Sequence, residues 1–213
     1  MAAGRSAPPV PTPAVRGYQP LRVRSDSPVT LTRHDPTVTL TRLQSGIGAL
    51  LIEAACSEAV GDLRLGVAYQ LRDGSSSIAV RADGLATAPK GSARPFVRVH
   101  RDRFESVTLD LVQIRDIERV IVFAYSPTGQ TLRWAGTATV TTSGQARIES
   151  PLSDIPAGVD GSGVLVALSL YNVDGQLVVR GENELVSGSL REACIAFGFD
   201  RITWLDDHTP LTR

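Results

Sequence analysis

Apolar and polar residues alternate along Val29-Thr30-Leu31-Thr32-Arg33, and the pattern recurs at Val38-Thr39-Leu40-Thr41-Arg42. Period-two alternation rich in β-branched residues marks a half-buried strand, because successive side chains leave a strand on opposite sides. His34-Asp35-Pro36 between the copies is a turn signal. The chain keeps this style, with strand-like runs at 49–55, 63–71, 77–81, 107–111, 119–125, 132–142, 146–150, 164–171 and 177–182. Turn residues punctuate them at Arg72-Asp73-Gly74, Ser126-Pro127-Thr128-Gly129, Ser143-Gly144 and Asn172-Val173-Asp174-Gly175. Many short strands with such punctuation predict an all-β sandwich or barrel.

One segment has a helical period instead. Ser189 and Glu192 stand at the spacing of a capping box. Leu190, Ala193, Cys194 and Phe197 follow at i, i+3, i+4 and i+7, and Gly198 supplies a left-handed stop. This predicts a short C-terminal helix with Cys194 facing the core. A further helical turn is expected at 112–117.

Residues 1–22 carry no period. Ala7-Pro8-Pro9-Val10-Pro11-Thr12-Pro13 lacks backbone donors and fixes φ at every second position or so, so this stretch is expected to be a disordered proline-rich leader before a domain over 23–213.

Composition narrows the function. Hydrophobic residues make up 42% of the 213, but aromatics only 5%, so the core must be aliphatic. Lys plus Arg equals Asp plus Glu at 22 each, and a chain of zero net charge has no bulk attraction for phosphate backbones. No nucleic-acid partner is expected. The longest apolar stretches, such as 163–171, are too short to span a membrane, and no signal segment is legible at the N-terminus. Cys56 and Cys194 belong to no CxxC pair and sit in apolar contexts, as buried free thiols do. These features together predict a cytoplasmic protein.

Motifs of enzymes are missing. There is no phosphate-binding loop and no GxSxG elbow, and Gly46-Ile47-Gly48 lacks the third glycine of a dinucleotide fingerprint. His34, His100 and His208 lie among polar residues without metal spacing and read as surface histidines. Of the carboxylates, Asp62 heads a strand and Asp73 closes it; Asp102, Glu105, Asp110, Asp154, Asp160, Asp206 and Asp207 read as turn and surface acids. No segment is dense enough in acids to supply the six to eight oxygens of a calcium site unaided.

The order of segments resembles the tellurium-resistance TerD family of bacterial stress proteins. That family opens on a V-S-L-x-K-G-x-x-V-x-L-T-K pattern, matched by Val29–Arg33 through Val38–Arg42. Its F-D-L-D-x-S strand is similar to Gly61-Asp62-Leu63-Arg64-Leu65-Gly66. Its V-x-L-x-x-V-P-x-x-V-x-x-I-V-F-x-V segment is similar to residues 107–123, and its G-L-x-x-I-A-x-x-F-G helix to residues 188–198. The resemblance covers about residues 28–202. It implies a two-sheet β-sandwich, a role in tellurite resistance or stress response, and, in typical members, calcium held by acidic loops.

This chain departs from that pattern at the metal. Asp62 matches the first acid of D-x-D, but Arg64 replaces the second. Where the family is acidic, the stretch from Lys90 to Arg103 is basic. The expectation is therefore a non-enzymatic binding or scaffold module with no cofactor, recognising other proteins, such as acidic TerD paralogues, through Arg94, Arg98, Arg101 and Arg103. The alternative is a calcium sensor that keeps the family's site in altered form through Asp62 and Asp73. An enzyme of unassigned chemistry, and nucleic-acid binding by the same arginines with Phe96 and Phe104 as stacking rings, are the remaining rivals.

Overall fold

The structure is a computed structural model describing residues 21–55, 60–81, 84–133, 136–152 and 163–211. Fourteen strands are described: β1 (Leu21–Arg22), β2 (Val29–Thr30), β3 (Thr37–Thr39), β4 (Ala49–Ala55), β5 (Arg64–Leu71), β6 (Ser76–Val80), β7 (Ala86–Ala88), β8 (Val97–Arg101), β9 (Glu105–Asp110), β10 (Ile117–Tyr125), β11 (Thr137–Thr142), β12 (Arg147–Pro151), β13 (Val164–Val173) and β14 (Gln176–Val186). Helix α1 covers Arg42–Gly46, a 3-10 turn covers Leu111–Asp116, and helix α2 covers Leu190–Ala196.

The strands form two sheets of seven, in the orders β1-β3-β14-β13-β10-β5-β6 and β2-β12-β11-β4-β9-β8-β7. The fold is thus an all-β, two-sheet sandwich with a short helix near the C-terminus. Pairing is antiparallel except where β1 joins β3 and β2 joins β12. The facing surfaces share one aliphatic core that includes Leu50, Ile52, Val107, Leu109, Val122 and Leu168.

The first sheet is covered on its other face too. Ala68, Ile121, Phe123 and Val166 point away from the second sheet and pack with Leu190, Ala193, Cys194 and Phe199. A strand buried on both faces reads as a continuous apolar run rather than an alternation. That is why Val164–Leu170 shows no period and is buried at all seven positions. At Gly66 the ring of Phe123 passes so close that a Cβ would overlap it.

Helix α2 forms as its sequence predicts. Ser189 and Glu192 make a reciprocal capping box, Leu190, Ala193 and Cys194 are buried, and Gly198 adopts φ +77°. Arg119 on β10 holds its far end: Nη1 donates to the Phe197 carbonyl at 2.9 Å, Nη2 to that of Gly198, and the guanidinium lies 4.4 Å from the Phe199 ring centre. The cation thus meets the carbonyls that a helix C-terminus leaves unpaired.

Three expectations need correction. Leu21–Arg22, assigned to the leader, form a strand against β3, anchored by Val23 at 4% exposure; residues 1–20 lie outside the described residues. Residues 97–101, part of the basic stretch and absent from the expected strands, are strand β8, with Val97 and Val99 inward and Arg98 outward. The opening repeat yields only two- and three-residue strands; Leu31 and Leu40, just past their ends, are buried and still donate their amides to Glu149 and Leu177. Cys56, Asp154 and Asp160 lie outside the described residues.

Candidate functional site

At one end of the sandwich four charged side chains converge. Arg64 begins β5, Arg81 follows β6, Glu105 begins β9, and Asp62 precedes β5. Alternation along β9 puts Glu105 on the inner face with Val107 and Leu109. It faces the first sheet and is only 4% exposed at its side chain. Its Oε1 accepts from Arg81 Nη2 and, at 3.3 Å, from Arg64 Nη1; its Oε2 accepts from the Leu65 amide at 3.3 Å. Arg64 also reaches Asp62, with Nη2 3.3 Å from Oδ1. Tyr125 donates its hydroxyl to the Arg81 carbonyl at 3.2 Å, and burial pushes its phenol up to about 12.

Chemically this is a chain of alternating charges, Asp62–Arg64–Glu105–Arg81, joining the two sheets. Every oxygen of Glu105 is engaged. The Nε atoms of both arginines, by contrast, are buried without a hydrogen-bond partner.

The carboxylates named for a metal do not come together. Asp62 and Asp73 stand at opposite ends of β5, whose eight residues place them about 25 Å apart at a strand's usual rise. Calcium needs its oxygens within about 2.6 Å, so no ion can be shared between them. Asp73 instead closes a turn: its Oδ1 accepts from Ser75 Oγ at 2.6 Å and from the Ser75 amide at 2.8 Å. Those bonds hold its carboxyl below the usual range. Among the described residues, no three His, Cys, Asp or Glu side chains are grouped so as to hold a metal ion.

The four arginines are all exposed but are not one patch at one end. Arg94 precedes β8, while Arg101 ends it and Arg103 follows in the hairpin to β9. Arg98 projects from the outer face between them. Arg103 lies over the Phe104 ring at 5.4 Å. Phe96 is 6% exposed and packs edge-on against Tyr69, with ring centres 4.8 Å apart. It offers no face on which a base could stack.

His100 is not a free surface histidine. Its Nε2 lies 3.1 Å from Ser106 Oγ, which also donates to the His100 carbonyl at 3.2 Å. The Ser106 hydroxyl thus meets both the ring and the backbone carbonyl of His100. Ser106 is also only 2% exposed. The pair braces the β8–β9 hairpin.

The charged chain was missed in the sequence because Glu105 and Arg81 look like surface residues there. A signal was present for Glu105, which shares its period-two register with Val107 and Leu109 and so lies on the core face. No helix among the described residues is long and apolar enough to cross a membrane. No family model and no curated protein matches the chain.

Proposed function

We propose that the chain is a divergent TerD-like domain, a non-enzymatic protein-binding module of a bacterial stress or tellurite-resistance system, acting in the cytoplasm without a resident calcium ion. The observation that carries this reading is the placement of Arg64 between Asp62 and Glu105. Where the resemblance puts the second acid of an acid pair, a guanidinium bonds to the first acid and to a buried carboxylate. A fixed cation thus stands where a bound one would. A unit-charge pair at about 4 Å interacts by roughly 4 kcal/mol at an effective dielectric near 20, and a divalent ion would meet about twice that as repulsion.

With the ion role filled internally, what remains for recognition is the exposed arginines on and beside β8. Arg101 and Arg103 at the β8–β9 hairpin, with Arg98 on the outer face and Arg94 before the strand, suit an acidic protein surface, such as that of an acidic TerD-family protein. Charge complementarity of this kind sets association rate and specificity.

Calorimetric titration with calcium, paired with melting curves in calcium and in chelator, tests the first half. No heat of binding and no melting shift are expected; micromolar binding or a shift of several degrees would restore the calcium-sensor reading. Pull-down against acidic TerD-family proteins tests the second half. Arg101→Glu with Arg103→Glu should weaken capture, most at low salt, and undiminished capture removes the arginine role.

A further inference from the structure

Beside the charged chain, on the other face of the first sheet, lies a cavity of about 590 Å³. Its size falls in the range of small-molecule sites, roughly 300–1,000 Å³. Tyr125 and Leu190 contribute to its apolar lining. The turn after β10 forms one wall through Pro127 and Thr128, and residues His208, Thr209 and Pro210 form the other. That second wall belongs to a C-terminal hairpin, closed where Leu211 donates its amide to the Thr203 carbonyl at 2.9 Å and Leu205 to Thr209 at 2.8 Å.

Arg81 lines the same cavity. It is only 6% exposed, and its Nε has no hydrogen-bond partner. The one carboxylate it pairs with, Glu105, spends the same Oε1 on Arg64. Among the described residues no carboxylate lines the cavity. Three acids on the flanking segments are engaged elsewhere: Asp206 Oδ1 accepts the amides of His208 and Thr209, both at 2.8 Å, Glu192 Oε2 accepts that of Ser189 at 2.8 Å, and Asp207 pairs with Arg191 at 3.3 Å. A buried arginine at the edge of a largely apolar hollow, its single carboxylate partner shared with a second arginine, suits a negative head on an apolar body.

We propose that this cavity binds a small amphipathic anion, a carboxylate or phosphate monoester attached to a compact apolar group such as a single ring. The apolar body would lie against Leu190, Pro127 and Tyr125, and the head toward Arg81, with Thr128 and His208 as rim donors. This does not depend on the TerD-like reading.

The test uses the full chain, with phenyl phosphate and benzoate as probes and benzyl alcohol as the neutral control, followed by amide chemical shifts. One of the two anions should bind with a Kd at or below about 1 mM, moving the amides of Thr128, Gly129 and Thr209, and benzyl alcohol should bind at least about tenfold more weakly. Thr128→Trp, at an exposed position, should plug the cavity and abolish those shifts without altering the melting temperature. Arg81→Lys, which keeps a charge for Glu105, should weaken the anion at least about tenfold while leaving benzyl alcohol unchanged. Equal binding of the alcohol, shifts that persist in Thr128→Trp, or no shifts at several millimolar would each overturn the proposal.

Discussion

Arg81 and Glu105 form an ion pair from opposite sheets, at 6% and 4% side-chain exposure. The pair bridges the sandwich at the end where β6 leaves the first sheet. Removing one partner of such a pair leaves an uncompensated buried charge, which costs about 3–5 kcal/mol, whereas replacing both by apolar residues of similar volume is often neutral. Glu105→Leu should therefore destabilise the domain by about 3–5 kcal/mol in urea unfolding, with Arg64 adding to the loss. Combining it with Arg81→Met should recover a large part of that. If the double variant is no more stable than Glu105→Leu alone, the pair does not act as a unit.

Arg119 supports a second prediction. It joins Gln70 on β5 to the C-terminal carbonyls of α2, with Nε 2.6 Å from Gln70 Oε1 and Nη1 2.9 Å from the Phe197 oxygen. Hydrogen bonds to a charged group contribute about 1.5–3 kcal/mol each when well formed, and part of this side chain is open to water, so the lower figure applies. With the two bonds lost together, Arg119→Met should cost about 3 kcal/mol. The loss should appear first as faster hydrogen exchange at Phe197–Phe199 while β10 and β13 stay protected. Uniform loss of protection across the first sheet would show instead that α2 and the sheet unfold together.

The sequence made some of this legible and hid the rest for identifiable reasons. The strands at 49–55, 164–171 and 177–182 emerged because short aliphatic runs start there just after glycine or turn signals. Helix α2 emerged whole because its cap, apolar face and stop are all local. Strand β8 did not. Val97-Arg98-Val99-His100-Arg101 alternates correctly, but its charge drew attention away from its period. Glu105, Arg81 and Arg64 could not be joined from sequence, since they meet only through the pairing of two sheets from positions up to 41 residues apart. Asp62 was the exception: its pairing with a residue two positions on is the one contact of the charged chain that strand geometry alone foreshadows.

Cys194 carries a prediction about reactivity. It is 1% exposed under α2, and burial pushes its thiol up to about 12 from an ordinary 9.0. The thiolate is the reactive form, so at pH 8 only about one molecule in ten thousand would carry it in the folded state. Alkylation of Cys194, followed by peptide mass spectrometry, should run at least about a hundredfold slower in native protein than in urea. The same shift has a stability consequence. Between pH 9 and about 12 the unfolded chain releases this proton while the folded chain retains it, so stability should fall across that window. Tyr125, raised to about 12 from 10.0, adds to the same decline. Rapid native alkylation at pH 8 would place the thiol outside the core.

The cap of α2 gives the acid-side counterpart. Ser189 Oγ accepts the Glu192 amide at 3.2 Å, while Glu192 Oε2 accepts the Ser189 amide at 2.8 Å. The Ser189 hydroxyl also donates to Glu192 Oε2, at 3.1 Å, and of the two bonds to the carboxylate the one from the Ser189 amide is the larger cause holding Glu192 below its ordinary 4.5. A lowered folded value means that its contribution is complete above the unfolded value and is lost as pH falls through the folded one. Asp206 behaves alike: backbone bonding from His208 and side-chain bonding from Thr209 hold it below 3.8. Acidification below about pH 4.5 should therefore loosen α2 and the C-terminal hairpin before the two sheets separate. Ser189→Ala should cost about 1 kcal/mol at pH 7. Glu192→Gln, which keeps an acceptor oxygen but no charge, should stay closer to wild type at pH 7 and flatten the acid dependence of hydrogen exchange in α2. An acid profile identical in wild type and Glu192→Gln would show that other carboxylates set the acid limit of the fold.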